Sequence, residues 1–300
     1  MVANLLKLAR FISRHSLTRD HQLAAWLRFI RWQIGSRLLK HPLIIPWVGP
    51  TKLIIERGMV GATGNLYCGL HEFEDMAFVL HFLRPDDLFL DIGANVGTYA
   101  VLAAGVTGAS VLAFEPIPAT HVRLLSNLQV NSLGSQVVAL NIGLGAESGC
   151  LVFSADLDSE NHVLQTDMQI EGEIIRVKVD NLDNILGGRM PTMIKIDVEG
   201  FETEVIRGGA LTFNSPSLMA VLIELNGSGQ RYGFSEKAIR DSFIDRGFAP
   251  YRYDPFERSL KPLADNCVNS NANTLYIKDE KVVQKRLLEG AAFEVLGRSI

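Results

Sequence analysis

Short and almost continuously apolar runs alternate with helix-like segments through the body of this chain. The strand-like runs are DLFLDIG, SVLAFEP, QVVALNIG, TMIKIDVEG and LMAVLIELN, and segments such as GTYAVLAAG and ATHVRLLSNLQVN lie between them. Strands that are apolar along their whole length are typical of a parallel sheet that helices cover on both faces. The alternation therefore predicts a doubly wound α/β sheet, with CLVFSAD and EIIRVKV as a side hairpin.

The composition argues against several other classes of protein. A chain of 300 residues with 47% hydrophobic and 21% charged side chains can build a large globular core. The cysteines Cys68, Cys150 and Cys267 are odd in number and far apart, so we expect neither a disulfide framework nor a zinc site. We recognise no apolar run of about 18 residues and no secretory signal, and we therefore expect a cytoplasmic protein.

The first part of the chain is basic and the remainder is acidic. Residues 1–42 carry eight Lys or Arg against one acid, Asp20, a charge of +7, which leaves −11 for the rest of a chain of net charge −4. Apolar residues recur there at helical spacings, at Leu23, Leu27, Ile30, Ile34 and Leu38. This periodicity predicts an amphipathic helix from Thr18 to Lys40, preceded by a shorter helix.

Two uses of this basic head stay open. It can rest on an anionic membrane, as a peripheral contact at the inner membrane face, or it can pack on the acidic body or on a second subunit of a homo-oligomer. Nucleic acid is not expected as a partner, because the acidic body would repel phosphate groups.

The segment DIGANVGTYA, residues 91–100, is predicted to run from a strand through a glycine turn into a helix. Gly93 and Gly97 permit a tight turn and a close approach of the backbone to a ligand. A dinucleotide cradle has the pattern G-x-G-x-x-G, and Asn95 stands where its second glycine would be. The turn therefore favours a ligand without a diphosphate over NAD.

Polar residues end the predicted parallel strands, at Asp91, Glu115, Asn141, Asp197 and Glu224. Ligands of such sheets bind outside the carboxyl ends of the strands, so these side chains predict a site there. Glu115 follows Asp91 by 24 residues, where nucleotide-binding domains place an acid for the ribose hydroxyls. Two acids beside the turn favour a cationic ligand, and S-adenosylmethionine combines a sulfonium, an ammonium group and a ribose.

In chain order, the segments FLDIGANVGTYA, VLAFEPIPATHVRLLSNLQVN and MIKIDVEGFETEVIRGG resemble the FkbM-like family of S-adenosylmethionine-dependent methyltransferases, over roughly residues 70–280. The resemblance implies a class I methyltransferase (Rossmann-like) fold, with a mostly parallel seven-stranded sheet whose last strand is antiparallel. It also implies O-methylation of a hydroxyl on a sugar, glycolipid or natural-product acceptor. The N-terminal helical extension lies outside the resemblance.

The resemblance also assigns residues. It places Asp91, Gly93, Asn95 and Gly97 on the cofactor loop. It places Glu115 at the ribose and Asp197 opposite the methyl group. We add Asn141, which ends the next strand, to the expected cofactor site. We expect a basic helical extension over residues 1–60, a methyltransferase domain over residues 61–280 and a C-terminal helix over residues 281–300.

Methyl transfer to a hydroxyl calls for a group that takes its proton. The candidates are Asp197, Glu199, Glu224 and His162. The three carboxylates can share a proton, or they can hold a divalent metal ion with Asp197 and Glu224 as ligands. A structural alternative for Glu199 is that it only complements the N-terminus of the next helix.

His162 lies in DSENHVLQ, an irregular insertion where a loop for the acceptor is expected, and its ordinary pKa suits a base. A loop histidine that is merely solvated is the alternative. The remaining histidines, among them His71, are expected to be structural or solvated.

Two functions from other classes are weighed against methyl transfer. An NAD-dependent oxidoreductase would use the same strand, turn and helix, but the glycine pattern disfavours it. A non-catalytic scaffold, attached to a membrane through residues 1–42, would keep a vestigial cofactor pocket. The intact set of acids at the strand ends argues against such decay.

Overall fold

The computed structural model of this chain describes residues 2–38, 41–154, 161–164, 174–264 and 272–300. The helices within these residues are α1 (Val2–Arg14), α2 (Gln22–Leu38), α3 (Val60–Cys68), α4 (Phe73–Phe82), α5 (Thr98–Thr107), α6 (Pro118–Val130), α7 (Leu182–Leu186), α8 (Glu202–Gly208), α9 (Ala210–Asn214), α10 (Glu236–Asp245) and α11 (Glu280–Leu288). The strands are β1 (Leu43–Pro46), β2 (Lys52–Ile55), β3 (Leu88–Ile92), β4 (Ser110–Phe114), β5 (Val137–Leu140), β6 (Gly143–Leu144), β7 (Gly149–Ser154), β8 (Ile174–Asp180), β9 (Met193–Ile196), β10 (Ala220–Leu225), β11 (Ala249–Asp254), β12 (Ser259–Pro262), β13 (Ala272–Ile277), β14 (Glu294–Val295) and β15 (Arg298–Ser299).

A large sheet forms the centre of the described structure, with the strand order β12–β11–β13–β10–β9–β3–β4–β5. The strands β5, β4, β3, β9 and β10 pair in parallel. β13 runs antiparallel between β10 and β11. The prediction of a mostly parallel sheet with an antiparallel last strand is therefore confirmed. The side hairpin is confirmed as well, since β7 pairs antiparallel with β8, and β6 joins them.

The sheet has one strand more than the seven that we expected. β12 folds back antiparallel on β11 and pairs Leu260 with Tyr253 at the edge of the sheet. Asp254 makes this reversal, because its Oδ1 accepts hydrogen bonds from the backbone N–H groups of Phe256 and Glu257 at 3.1 and 3.2 Å. A polar turn held by one aspartate is a weak signal in sequence, so the eighth strand was not predicted.

Helices cover both faces of the sheet, as a doubly wound fold requires. One face packs on α4, α5 and α11. The buried core between them includes Phe89 of the sheet, Phe78 of α4 and Val283 of α11. The other face packs on α8, α9 and α10, and its buried side chains include Leu90 and Phe243. Successive residues of β3 thus enter opposite cores, which explains why that strand is apolar along its whole length.

The N-terminal head is helical, as predicted, and shares a hydrophobic cluster with α3 and β2. α1 and α2 contribute to it the side chains of Ile12, Ala25, Phe29 and Trp32. Asn127 of α6 and Asn131, just after its end, fasten β2 to the body. Their Oδ1 atoms accept from the backbone N–H of Ile54 and Lys52, respectively, each at 2.7 Å. None of the described helices is both long and apolar enough to cross a membrane.

The C-terminal helix is shorter than expected. α11 ends at Leu288, and β14 and β15 then form a small antiparallel pair. A Cβ on Gly290 would lie 2.6 Å from the carbonyl oxygen of His81, so the chain passes close to the end of α4 directly after α11, where only glycine fits. Leu296 and Gly297 reverse it again with φ angles of 52° and 75°. The expectation of a helix over residues 281–300 was therefore wrong in its second half.

Candidate active site

A cavity of about 290 Å³ lies at the carboxyl edge of β3, β4, β9 and β10. Each strand contributes to its wall, through Gly93 after β3, Glu115 after β4, Asp197 after β9 and Glu224 near the end of β10. This is the edge at which open α/β sheets bind ligands. The structure therefore brings together, around one cavity, four of the strand ends that the sequence singled out.

The glycine turn after β3 is packed tightly against its surroundings. Gly93, Asn95 and Gly97 have φ angles of 75°, 50° and 85°, a region that glycine and asparagine adopt most readily. A Cβ on Gly93 would lie 1.7 Å from the carbonyl oxygen of Asp197, and one on Gly97 would lie 2.3 Å from Cδ1 of Leu124. At Gly93 the neighbour is backbone, so only glycine fits and the turn lies against the loop that follows β9. At Gly97 the neighbour is a side-chain methyl group, and the positive φ angle is the stronger reason for glycine.

Glu115 is buried beside this turn, with 5% of its surface exposed. Its Oε2 accepts a hydrogen bond from the backbone N–H of Asn95 and its Oε1 accepts one from that of Ile117, both at 2.9 Å. Burial raises the pKa of Glu115 to about 7, although these two hydrogen bonds favour the charged form. The acid that we expected at the ribose thus lies directly beneath the glycine turn.

Asn141 lies at the same edge of the sheet, but its side chain serves the backbone. Its Nδ2 donates hydrogen bonds to the carbonyl oxygens of Glu115 and Pro116, each at 2.9 Å. The residue is exposed, and it is not among the described residues that line the cavity. Asn141 therefore holds the loop that carries Glu115, and its contact with a cofactor stays a prediction.

Asp91 is fully buried under the turn. Neither of its carboxylate oxygens has a hydrogen-bond partner within the described part of the chain. Burial raises its pKa to about 6, and the charge of Lys195 opposes that rise. Lys195 thus supplies an opposing charge for this buried carboxylate, and Asp91 is not among the described residues that line the cavity, so its contact with a cofactor stays a prediction.

Asp197, Glu199 and Glu224 converge on one side of the cavity. One carboxylate oxygen of each lies within 4.8 Å of the others. Burial, and then the charge and hydrogen bond of Asp197, raise the pKa of Glu224 to about 9. The pair formed by Glu224 and Asp197 therefore does not carry two full charges at neutral pH. Three such acids can share a proton or hold a divalent cation through oxygen ligands.

The role of complementing the N-terminus of the next helix, considered above for Glu199, belongs to Glu202 instead. Oε1 of Glu202 accepts a hydrogen bond from the backbone N–H of Gly200 at 2.9 Å, and so complements the start of α8. Glu199 instead has a φ angle of 52° and contributes its carboxylate to the cluster with Asp197 and Glu224.

Lys195 is a buried, positively charged side chain in this acidic wall. Its Nζ lies 3.0 Å from Oδ2 of Asp197 and 5.1 Å from the ring centroid of Tyr99. Burial lowers the pKa of Lys195, but the carboxylates of Asp197, Asp91 and Glu72 raise it more, so that it lies above its ordinary value. Lys195 is therefore paired with a neighbouring acid of the cavity wall.

His71 and Glu72, just before α4, also line the cavity. Nδ1 of His71 is buried and has no hydrogen-bond partner among the described residues. Burial lowers the pKa of His71, and the charge of Glu72 opposes this. We expected His71 to be structural or solvated, and its place in the cavity wall is a correction. The reason is that α4 begins beside the carboxyl edge of the sheet, which the spacing along the chain does not show.

Glu72 belongs to a polar network beside the cavity. Its Oε2 accepts from the hydroxyl of Tyr99 at 2.8 Å and its Oε1 from Nδ2 of Asn273 at 3.0 Å. Asn273 also donates to Oδ2 of Asp75 at 2.9 Å. Burial, and then the charge of Glu72, raise the pKa of Asp75 to about 8. The sequence signal for this group is HEFED, a run of polar residues at the head of an otherwise apolar helix.

His162 lies next to the cavity. Its backbone carbonyl accepts from the N–H of Ser154 at 3.0 Å, and its own N–H donates to Oγ of Ser154 at 3.1 Å. Its neighbours Asn161 and Val163 line the cavity, whereas His162 is not among the described lining residues. Alternate residues of an extended segment face opposite sides. The role of His162 as a base stays a prediction.

Comparison with known proteins finds relatives that match about half of this chain or somewhat less. Hexuronic acid methyltransferase AglP of Haloferax volcanii is 31% identical over 159 residues, which are 52% of this chain and 62% of that protein. Methyltransferase 1 of Beauveria bassiana is 30% identical over 149 residues, 41% of this chain and 59% of that protein. The chain thus spans about three fifths of the length of these curated relatives.

Among solved structures, Methyltransferase FkbM from Methylobacillus flagellatus KT matches 72% of this chain and 52% of its own, with 16% identity and a TM-score of 0.45. The Methyltransferase FkbM domain family matches residues 91–250, more than half of the chain. The matched region contains the glycine turn, Glu115, Asp197 and Glu224, and it confirms the resemblance seen in the motifs. The chain therefore belongs to the Methyltransferase FkbM domain family.

Proposed function

We propose that this protein is an S-adenosylmethionine-dependent O-methyltransferase that acts on a hydroxyl group of a sugar acceptor. The observation that carries the proposal is the contact of the glycine turn with the loop after β9. The backbone of Asp197 lies so close to Gly93 that a Cβ would not fit there. A turn suited to a cofactor and an acid pair suited to a proton transfer therefore border one cavity.

The residues present fit this cofactor. Asp91, two residues before Gly93, is a fully buried carboxylate that is not among the described residues lining the cavity, and its negative charge would favour a cationic ligand from behind the turn. Asp91 would favour the positive charge of the cofactor, Glu115 would hold its ribose hydroxyls, and the backbone of residues 93–97 would come close to it. When bound, S-adenosylmethionine supplies a methyl group activated by a positively charged sulfur.

Asp197 is the residue that we propose as the base. Lys195 holds its carboxylate through the contact of 3.0 Å and favours its charged form, which is the form that accepts a proton. In the proposed step the O–H bond of the acceptor breaks and the proton passes to the carboxylate of Asp197. The oxygen keeps the electron pair and becomes a stronger nucleophile.

The charge of the cavity supports a neutral reacting group. Its wall includes the acids Glu72, Asp197, Glu199 and Glu224. A further carboxylate placed among them would be repelled, whereas a hydroxyl would not. The relative AglP is named as a hexuronic acid methyltransferase, which supports a sugar as acceptor. The acids of this cavity favour a hydroxyl of that sugar over a carboxylate.

The carboxylate cluster could also bind a divalent metal ion, and this alternative can be tested. Asp197, Glu199 and Glu224 have the oxygen ligands that a divalent ion would use. The contact of Lys195 with Asp197 already brings a cation to this cluster, which favours a pair that shares a proton over a bound metal ion. We therefore expect the same rate of methyl transfer before and after dialysis against EDTA. A loss of activity that Mg²⁺ or Mn²⁺ restores would assign an ion to this cluster.

The two other functions have less support. Asn95 fills the position at which a dinucleotide binder needs glycine, which disfavours an NAD-dependent oxidoreductase. A non-catalytic scaffold would not need the cluster of Asp197, Glu199 and Glu224, whose like charges disfavour the fold.

The direct test is transfer of a tritiated methyl group from S-adenosylmethionine to glycosides of a hexose and of a hexuronic acid. We expect label on a hydroxyl, as an ether that survives mild alkali. Label that alkali releases would identify a methyl ester and would contradict transfer to a hydroxyl. Absence of label on every sugar, with the cofactor shown to bind, would contradict the proposed acceptor class.

A further inference from the structure

The helix α2 carries apolar side chains on two opposite faces. The inner face is buried against the cluster shared with α3, through Ala25, Phe29 and Trp32. Arg28 strengthens this attachment, because its Nη2 donates to the carbonyl oxygen of Tyr67 at 2.8 Å. The inner face therefore suffices to hold α2 on the body.

The outer face presents a continuous aliphatic row to solvent. Its members and their exposed fractions are Leu23 (76%), Leu27 (45%), Ile30 (47%), Ile34 (57%) and Leu38 (76%). At a rise of about 1.5 Å per residue the row is about 22 Å long. These are the residues whose periodicity marked the helix in the sequence, and the structure shows that the body does not cover them. A long exposed apolar row of this kind usually marks an interaction surface.

Cations border this outer row on both sides. With about 100° of rotation per residue, Arg31 lies about 60° to one side of the row and Arg37 about 60° to the other. Both arginines are exposed, and α2 contains no acidic residue. On α1, Arg10 and Arg14 are exposed as well.

Asp20 and Trp26 also bear on how the outer row can interact with a membrane. Asp20 is neutralised locally, because Nη2 of Arg298 donates to its Oδ2 at 2.9 Å. Trp26, half-buried, lies on the same flank of the outer row as Arg37. Tryptophan and arginine beside an aliphatic strip are typical of a helix that lies in the interface of an anionic membrane.

We propose that the outer row of α2 docks this protein on an anionic membrane surface, with the helix parallel to the membrane plane. The aliphatic side chains would enter the boundary of the acyl chains, and the flanking arginines would meet the lipid phosphates. The proposal does not depend on the activity of the cavity, and it places an enzyme of this kind beside acceptors that a membrane carries.

A second copy of this chain is a weaker candidate for the occupant. A symmetric contact between two α2 helices would bring Arg31 and Arg37 of both copies to one interface without an acid from either helix. Such a contact gathers like charges, whereas an anionic lipid surface supplies the opposite charge. The charge complementarity therefore favours the membrane.

The test is co-sedimentation of the full chain with vesicles of phosphatidylcholine alone and with an equal part of phosphatidylglycerol. The variant Ile30→Ser with Ile34→Ser removes the centre of the outer row without touching a buried side chain. The matched control is Val122→Ser with Leu125→Ser on α6, where the exposed fractions are 61% and 45%. A third variant, Arg31→Gln with Arg37→Gln, removes the flanking charges. Circular dichroism establishes that all variants are folded.

We expect binding to the anionic vesicles only, weakened at least about tenfold by the change in the outer row and unchanged in the control. The arginine variant should bind more weakly, and salt should have less effect on it than on the parent protein. Failure of the full chain to sediment, or equal binding by the outer-row variant and the control, would overturn the proposal. A dimer in size-exclusion chromatography that the outer-row variant abolishes, without vesicle binding, would assign the row to a second copy.

Discussion

Lys195 and Asp197 form an ion pair of 3.0 Å in which the lysine side chain is 4% exposed and the acid 34%. The two residues are two positions apart and therefore face the same side of the sheet. Lys195 lies within β9, whereas Asp197 follows the strand and borders the cavity. A buried cation thus positions an acid that a substrate can reach.

Replacing Lys195 with Met should lower the free energy of unfolding by about 2–3 kcal/mol, because Asp91 and Asp197 lose their cation. The partial exposure of Asp197 reduces the loss below that of a fully buried pair. Lys237→Met is the matched control, since its ion pair with Asp241, at 2.5 Å, is exposed and contributes little. Urea unfolding measures both. An effect as small at Lys195 as at Lys237 would contradict this role.

Gly93→Ala should abolish measurable binding of S-adenosylhomocysteine, because the added methyl group would displace the loop that carries Asp197. Gly108→Ala is the control for backbone strain alone. Its φ angle of 78° is like the 75° of Gly93, but its Cβ would lie 3.5 Å from Pro85, an ordinary contact. That control should cost about 1–2 kcal/mol of stability and keep its affinity. Similar affinities in the two variants would mean that the turn does not form the ligand site.

Asp197→Asn should reduce the rate of methyl transfer by about 10²–10⁴, the usual contribution of a general base, and leave the affinity for S-adenosylhomocysteine unchanged. Glu204→Gln serves as control, since Glu204 pairs with Arg207 at 2.5 Å on α8 and does not line the described cavity. Single-turnover assays with saturating cofactor separate binding from chemistry. Full activity of the Asp197 variant would place the base elsewhere, and His162→Gln would be examined next.

The stability of the ligand-free protein should depend on pH through Glu115. Burial raises the pKa of this carboxyl from 4.5 to about 7, so the folded chain binds a proton that the unfolded chain releases between these values. Its contribution to stability is therefore full below about pH 4.5 and is lost as the pH rises through about 7. The melting temperature should fall from pH 5 to pH 8.

Glu115→Gln should make that fall shallower. Part of the slope should persist, because burial also raises the pKa of Glu202 to about 7. Glu56→Gln is the control, since Glu56 forms a surface contact of 3.7 Å with Arg123 and should leave the slope unchanged. Melting curves across this pH range decide the matter, and parallel curves for the Glu115 and Glu56 variants would exclude Glu115 as the source.

The apolar runs and the polar residues that end them were enough to predict most of the sheet and the side of the cavity that the strand ends form. Strands such as DLFLDIG are apolar because both faces are buried, and Glu115, Asp197 and Glu224 stand at strand ends because a ligand edge is polar. Asp91 lies buried within β3 instead. His71 and Glu72 were missed because they reach the cavity from the start of a helix that precedes the sheet in the chain.

The faces of α2 show a different limit of sequence patterns. Periodicity identified the row from Leu23 to Leu38 but could not say which side of the helix packs on the body. Phe29 and Trp32 are larger and lie nearly opposite the row, and they bury against α3 instead. The choice between two apolar faces depends on the partner surface, which only the folded structure provides.

Calorimetric titration with S-adenosylhomocysteine, with NAD as the control ligand, tests the proposed cofactor site most directly. We expect binding of S-adenosylhomocysteine at micromolar concentration, no binding of NAD, and about 1.5–3 kcal/mol weaker binding after Glu115→Ala, the scale of a hydrogen bond to a charged group. Binding of NAD, or no binding of S-adenosylhomocysteine by the folded protein, would contradict the assignment of this cavity to a methyl donor.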